Sequence, residues 1–461
     1  MKSNILLIHC HDVGANLGCY GNASATTPHI DQVARDGVLC ERYFATAPTC
    51  SPSRATIQTG LMPHRHGLMG LASGGYWELD PKRPTLPRLL REAGYATASF
   101  GVWHISGEIW GYGIDAGNQQ ATCETVAANV VEYLQQRAAD APPFFVLAGF
   151  DQPHRPYSEL WPDLPAADSL YVPPYLLDTA EIREDFRRFY GDVSRADAAV
   201  GRIVDYLQHA GLAATTLLIL TSDHGIAMPL AKGTLYDPGL HIPLIMRWPE
   251  QLPRNSRTSA LLSNTDLLPT VLAAAGEAER IPPGLDGLNL WLHLTCGEAI
   301  ARPAIFAEQT WHDFYEPIRA IRTQQHKLIR NFHPGVGLQL ASDILRSPSG
   351  KAMAETARNW SRPAYELYDL SRDPLERNNL IGSPDAADIE TQLRAQLDQW
   401  LHDTNDPILD GAIAAPPGYW AHFWAKKSGP GGLPRAEGRD NWIEVRWAPG
   451  MVKPNRVTSD E

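Results

Sequence analysis

Apolar and polar residues alternate in blocks along most of the chain. Asn4 to His9 (NILLIH) is a compact apolar run that predicts a buried strand of a parallel sheet, and Pro28 to Asp36 has helical spacing closed by Gly37. The same unit recurs. A helix over Leu86–Ala93 precedes a strand over Tyr95–Phe100, and a helix over Thr122–Arg137 precedes a strand over Phe144–Gly149. A helical stretch over Thr179–Ala210 then precedes a strand over Thr216–Thr221. Repeated units of this kind predict an α/β fold with a mostly parallel central sheet flanked by helices. After Ala304–Glu308 the pattern shifts to short amphipathic strands, Pro317–Thr323, Lys327–Phe332 and Tyr365–Leu370, and to a helix near Ile389–Asp403. A smaller C-terminal α+β domain carrying an antiparallel sheet is expected there. The expected boundaries are 1–315, 316–410 and 411–461. The last segment holds Trp420, Trp424, Trp442 and Trp447 and is expected to pack on the body or on a second subunit of a homodimer.

In parallel sheets ligands sit beyond the carboxyl ends of the strands. Four of the predicted ends carry polar chemistry: His11-Asp12, His104, His154 and Asp223-His224. One shared site is the simplest reading of that coincidence.

The string Cys50-Ser51-Pro52-Ser53-Arg54-Ala55, running on to Thr59-Gly60, joins a nucleophile precursor to an anion-binding arginine. It is read as a loop ahead of a helix over Ser53–Gln58, whose free N–H groups and dipole favour a tetrahedral anion. The string resembles the sulfatase signature. Asn4–Gly21 is similar to the opening of that family, and Thr221–Gly225 with Lys232-Gly233-Thr234-Leu235-Tyr236 to its second metal and lysine segment. Glu366–Leu370, Asp373-Pro374 and Asn379-Leu380 resemble its C-terminal domain, so the match runs over residues 4 to 405. Within the family the chain most resembles the heparan N-sulfatase (sulfamidase) branch. That likeness rests on Ala47-Pro48-Thr49, Asp151 to His154-Arg155, Val172-Pro173-Pro174, and Trp400 with Asp406-Pro407.

The resemblance implies an alkaline-phosphatase-like fold and a formylglycine made from Cys50 by a maturation enzyme. The hydrated aldehyde would attack sulfur and release inorganic sulfate from a small sulfated substrate, sugar-like or aryl, ester or sulfamate. It implies Arg54, His104, His154 and Lys232 as further catalytic residues, with Arg155 at a sugar carboxylate or second sulfate. Asp12, Asp223 and His224, with His11, would hold a divalent metal. Family likeness implies calcium, whereas two imidazoles among the ligands suit manganese or zinc. The chain departs from the family pattern at two positions: His11 replaces an aspartate, and Val102 replaces a lysine, for which His64, Arg65 or His66 could substitute. Two other readings stay open. One is a phosphonate monoester or phosphodiester hydrolase of the same superfamily, the other a non-catalytic binder of sulfated ligands.

Composition narrows the field further. The 461 residues are 44% hydrophobic and 20% charged, ample for a large core, and a net charge of −12 without any long basic run argues against nucleic acid. Six cysteines, scattered from 10 to 296, do not make a disulfide framework and are expected to be reduced. Only four apolar residues precede His9, too few for a signal or membrane segment, so no membrane partner is expected and the location is read as cytoplasmic.

Overall fold

Nine strands form the central sheet of the computed structural model, which describes residues 2–419 apart from 74, 159–163 and 336. The four tail tryptophans lie outside the described residues. In chain order the strands are β1 Asn4–Cys10, β2 Val38–Phe44, β3 Ala96–Gly101, β4 Ala116–Asn118, β5 Phe144–Gly149, β6 Thr216–Ser222, β7 His241–Arg247, β8 Ser256–Thr258 and β9 Leu262–Ser263. They lie in the order β4-β3-β5-β1-β6-β7-β2-β8, with β9 also on β2. The pairs β3–β5, β5–β1 and β1–β6 are parallel, whereas β7 runs against both of its neighbours.

Strand β1 shows why the sheet is central. Its side chains alternate between two cores: Leu6 and Ile8 pack with helices 28–35, 123–135 and 180–209, while Ile5 and Leu7 pack with helices 50–59, 86–92 and 267–274. All four are fully buried, and each contributes roughly 1.5–3 kcal/mol of transfer free energy.

The four adjacent parallel strands β3, β5, β1 and β6 deliver His104, His154, His11-Asp12 and Asp223-His224 to one edge. Asp12 and His104 adopt left-handed backbone, with φ of 54° and 56°. Such geometry costs a non-glycine residue about 1–2 kcal/mol, and its occurrence at two strand ends beside one cluster fits a functional turn.

A four-stranded antiparallel sheet follows, β10 Ile305–Trp311, β11 Tyr315–Arg322, β12 His326–Asn331 and β13 Tyr365–Asp369, covered by helix Ala387–Asp403. It begins ahead of the boundary at 315 expected from sequence, because β10 pairs along its length with β11. Beyond it, Ile413 and Tyr419 pack with Trp77, Trp311 and Tyr315, and Ile413 accepts a hydrogen bond from Trp311 at 2.9 Å. Among the described residues no helix is long and apolar enough to cross a membrane. All six cysteines are free.

A buried ionic junction ties the segment after Cys50 to the C-terminal sheet. His64 Nδ1 lies 2.5 Å from Glu308 and 3.7 Å from Asp406, and Asp406 accepts from Arg319 at 2.5 Å. All four side chains are at most 1% exposed. Burial opposes the His64 cation, but Glu308 and Asp406 outweigh it and raise its pKa. Because the folded value lies above the unfolded one, this contribution is full below about pH 6.5 and is lost as pH rises through the raised value. His64→Gln is expected to cost about 3–5 kcal/mol near pH 6 and less near pH 9, measured by urea unfolding at both pH values.

Candidate active site

Cys50 is the first residue of helix Cys50–Thr59, with Thr49 in extended backbone before it. This corrects the reading of a loop followed by a helix from Ser53: Pro52 falls in the first turn, where its missing N–H and fixed φ suit a helix. The residue is an unmodified cysteine, so its Sγ marks where the reacting group of a modified side chain would begin. It is 2% exposed and stands 3.3 Å from His224 Nε2. Burial would raise the thiol pKa, yet Lys232, His11 and His224 together with a hydrogen bond from His104 hold it well below the ordinary value.

The carboxylates organise the rest. Asp223 Oδ1 accepts from the backbone N–H of Asp12 and of His224, both at 2.9 Å. Its Oδ2 faces Arg54 Nε at 3.0 Å and His11 Nδ1 at 3.2 Å. Asp12 Oδ1 faces His11 at 2.8 Å and His224 at 3.0 Å, while Oδ2 takes Lys232 Nζ at 2.8 Å and lies 3.9 Å from His154. Asp12 therefore bridges two groups of cations. Gly225 completes the turn, since a Cβ there would meet the carbonyl of Pro238 at 1.8 Å.

His11, Asp12, Cys50, Asp223 and His224 offer ligand atoms within 4.8 Å of one another, all buried. Burial works against a charged His11, but Asp223 and Asp12 outweigh it and lift its pKa to about 10, and His224 is raised for the same reason. Two buried carboxylates thus demand positive charge at this point, and the nitrogen and oxygen donors fit a divalent cation.

Arg54 donates from Nη1 to the carbonyl of Val102 at 3.0 Å. Its buried Nη2 has no hydrogen-bond partner among the described residues, a vacant donor on the arginine that Asp223 holds. Val102 thus brings a backbone acceptor to the arginine where a lysine was expected. None of the proposed substitutes for that lysine reaches the cluster. His64 is held by Glu308, Arg65 pairs with Asp286 at 2.5 Å, and His66 lies within hydrogen-bonding distance of Thr56 and the carbonyl of Pro52.

Arg155, expected at the substrate, is instead committed inside the fold. Its two Nη atoms clamp Asp185 at 2.8 and 2.7 Å, and Nε donates to the carbonyl of Ala227 at 2.8 Å. The physical reason is Asp185 on helix Ala180–His209, a buried countercharge that local reading could not pair with it.

Three residues join the site without having been expected there. His312 Nδ1 lies 3.5 Å from Asp313, and although burial opposes its cation, Asp313, with Cys50, lifts its pKa to about 9. Asp343 accepts from Lys232 at 2.8 Å and lies 4.0 Å from His154. His312-Asp313 follows strand β10 as His11-Asp12 follows β1, but β10 carries Glu308, Gln309 and Thr310 and lacks the apolar run that marked β1. Asp343 carries no comparable mark.

The family described as Sulfatase matches residues 3–277, and the family described as N-sulphoglucosamine sulphohydrolase, C-terminal, matches residues 227–341. The chain is 30% identical to human N-sulphoglucosamine sulphohydrolase over 89% of its own length and 92% of that protein. A protein solved with its substrate D-glucosamine-2-N,6-O-disulfate shares the fold at a TM-score of 0.70 and 20% identity, over 88% of this chain and 99% of that one. The phosphonate monoester hydrolase of Agrobacterium radiobacter does so at 0.66 and 22%, over 89% and 97%. The chain belongs to the sulfatase family, hydrolases of sulfuric ester or sulfur–nitrogen bonds, and carries the C-terminal region of the sulfamidase branch.

Proposed function

We propose that residue 50, converted to formylglycine, transfers the sulfuryl group of a small sulfated sugar or aryl substrate, with a divalent metal held by His11, Asp12, Asp223 and His224. One observation carries the reading: Cys50 lies within that cluster, 3.3 Å from His224, and the cations Arg54 and Lys232 are held by the same two carboxylates. A hydrated aldehyde supplies one hydroxyl for attack and a second whose collapse expels sulfate. The metal, when bound, polarises sulfate oxygens and offsets the carboxylates.

The chain's own residues then divide the work. Arg54 holds the nucleophile side through the vacant Nη2, a fixed fork suited to tetrahedral oxygens. Lys232, anchored by Asp12 and Asp343, presents a point charge to the sulfate. His104 and His154 line the leaving-group side, where a departing oxygen or nitrogen needs a proton. Two imidazole ligands favour a first-row cation such as manganese or zinc over calcium, which prefers oxygen.

Assays of the full chain, produced with a maturation enzyme, test the proposal. Sulfate release from an aryl sulfate or an N-sulfated sugar is expected to exceed release from an aryl phosphonate by at least about tenfold in kcat/KM. Mass spectrometry of the peptide around Cys50 should show the aldehyde. A preference for phosphonate would favour the hydrolase reading, and a modified residue 50 without turnover of either class would favour a binding protein.

A further inference from the structure

We propose that Asp343 reads the atom from which sulfur departs, favouring a nitrogen that carries hydrogen over an ester oxygen. The inference rests on the sulfuryl-transfer reading and names its leaving group. It starts from where the site is open. Asp12, Asp223 and His224 are fully buried, Lys232 is 1% exposed and Arg54 5%. By contrast His154 is 28% and Asp343 19% exposed, and His104 is half-buried. A substrate approaching residue 50 would meet these partly exposed side chains first, which would set whatever the sulfate is attached to against Asp343 and His154.

Asp343 is held at that opening from the far side of the chain. It belongs to the short helix Ser342–Leu345, whose first N–H donates to Asp313, and its Oδ2 binds Lys232 across 111 residues. The same oxygen is 4.0 Å from His154 Nε2. The charge of Asp343 is paired with Lys232, and its Oδ1 accepts from the backbone N–H of Ile344 at 3.0 Å, so the carboxylate keeps lone pairs for a substrate donor.

The chemistry of the two bond types separates them. A carboxylate paired with lysine is a hydrogen-bond acceptor only. The bridging oxygen of a sulfate ester offers lone pairs alone and would face Asp343 acceptor to acceptor. A sulfamate nitrogen brings an N–H, and it gains further N–H bonds as it leaves. In the balance R–NH–SO3⁻ + H2O → R–NH3⁺ + SO4²⁻, the S–N bond breaks with its electron pair on nitrogen. A new S–O bond forms, and the amine ends as a cation beside the carboxylate. The interaction strengthens as the bond breaks, so it acts on the transition state more than on the bound substrate. An ester would leave the carboxylate poorly matched, the arrangement by which sites reject analogues lacking a donor.

The test compares kcat/KM for N-sulfoglucosamine and glucosamine 6-O-sulfate in the matured full-length protein and in Asp343→Asn and Asp343→Glu. Asp343→Asn is expected to lower both values through the weakened Lys232 contact, and to lower the sulfamate value about 10- to 100-fold further than the ester value, the loss of one charged hydrogen bond. Asp343→Glu keeps the charge and should keep the preference for nitrogen. Equal losses on both substrates in either variant would mark a purely structural residue and overturn the assignment, as would a wild type that prefers the ester. Absence of turnover of both substrates by wild type with a verified aldehyde at residue 50 would instead overturn the sulfuryl-transfer reading itself.

Discussion

Cys50→Ala is expected to lower kcat on the order of 10⁴- to 10⁶-fold, the loss typical of removing a covalent nucleophile. The alanine lacks the Cβ–Sγ bond that oxidation would replace with an aldehyde, and so the hydroxyl that would attack, while Arg54, Lys232 and the candidate metal ligands keep their mutual contacts. Binding should therefore outlast turnover. The check is a parallel measurement of kcat and of the dissociation constant for sulfate or a substrate. A fall in kcat of less than about a hundredfold, with binding intact, would place the chemistry elsewhere.

The second large effect is expected at Asp223. Its two oxygens serve two backbone N–H groups, Arg54 and His11 at once. Asp223→Ala leaves the Arg54 cation buried without its countercharge, which costs about 3–5 kcal/mol, and orphans two N–H groups at about 1–3 kcal/mol each. It also removes a carboxylate from the metal set. Urea unfolding and metal content by mass spectrometry should both fall sharply. Asp223→Asn separates the two losses: its carbonyl oxygen can still accept from the backbone, so part of the stability should return while metal content stays low. Full metal retention in either variant would remove Asp223 from the ligand set.

Much of this was legible in the sequence because the informative residues sit at fixed places in a repeated unit. Strands β1, β3, β5 and β6 announced themselves as apolar runs, and the polar residues at their ends converge as a parallel sheet requires. Strand β7 was not anticipated. Its run His241–Arg247 carries Pro243, and its direction, opposed to the rest of the sheet, has no local signature. Strand β2 was hidden by Glu41 and Arg42, which break its alternation at a register shift against β7. The errors at the site share one cause, partners remote in sequence. Arg155 looked free until Asp185 was beside it, and His64 until Glu308 was. Asp343 had nothing near it to indicate that Lys232 was its neighbour.

The near-complete burial of residue 50 has a consequence in time. In the folded chain the thiol is buried beside His11, His104 and His224, drawn from three different strand ends, so an enzyme making the proposed aldehyde would not reach it there. Under the proposed conversion, oxidation would precede folding, and chain closure would lock in whichever chemical form residue 50 had reached.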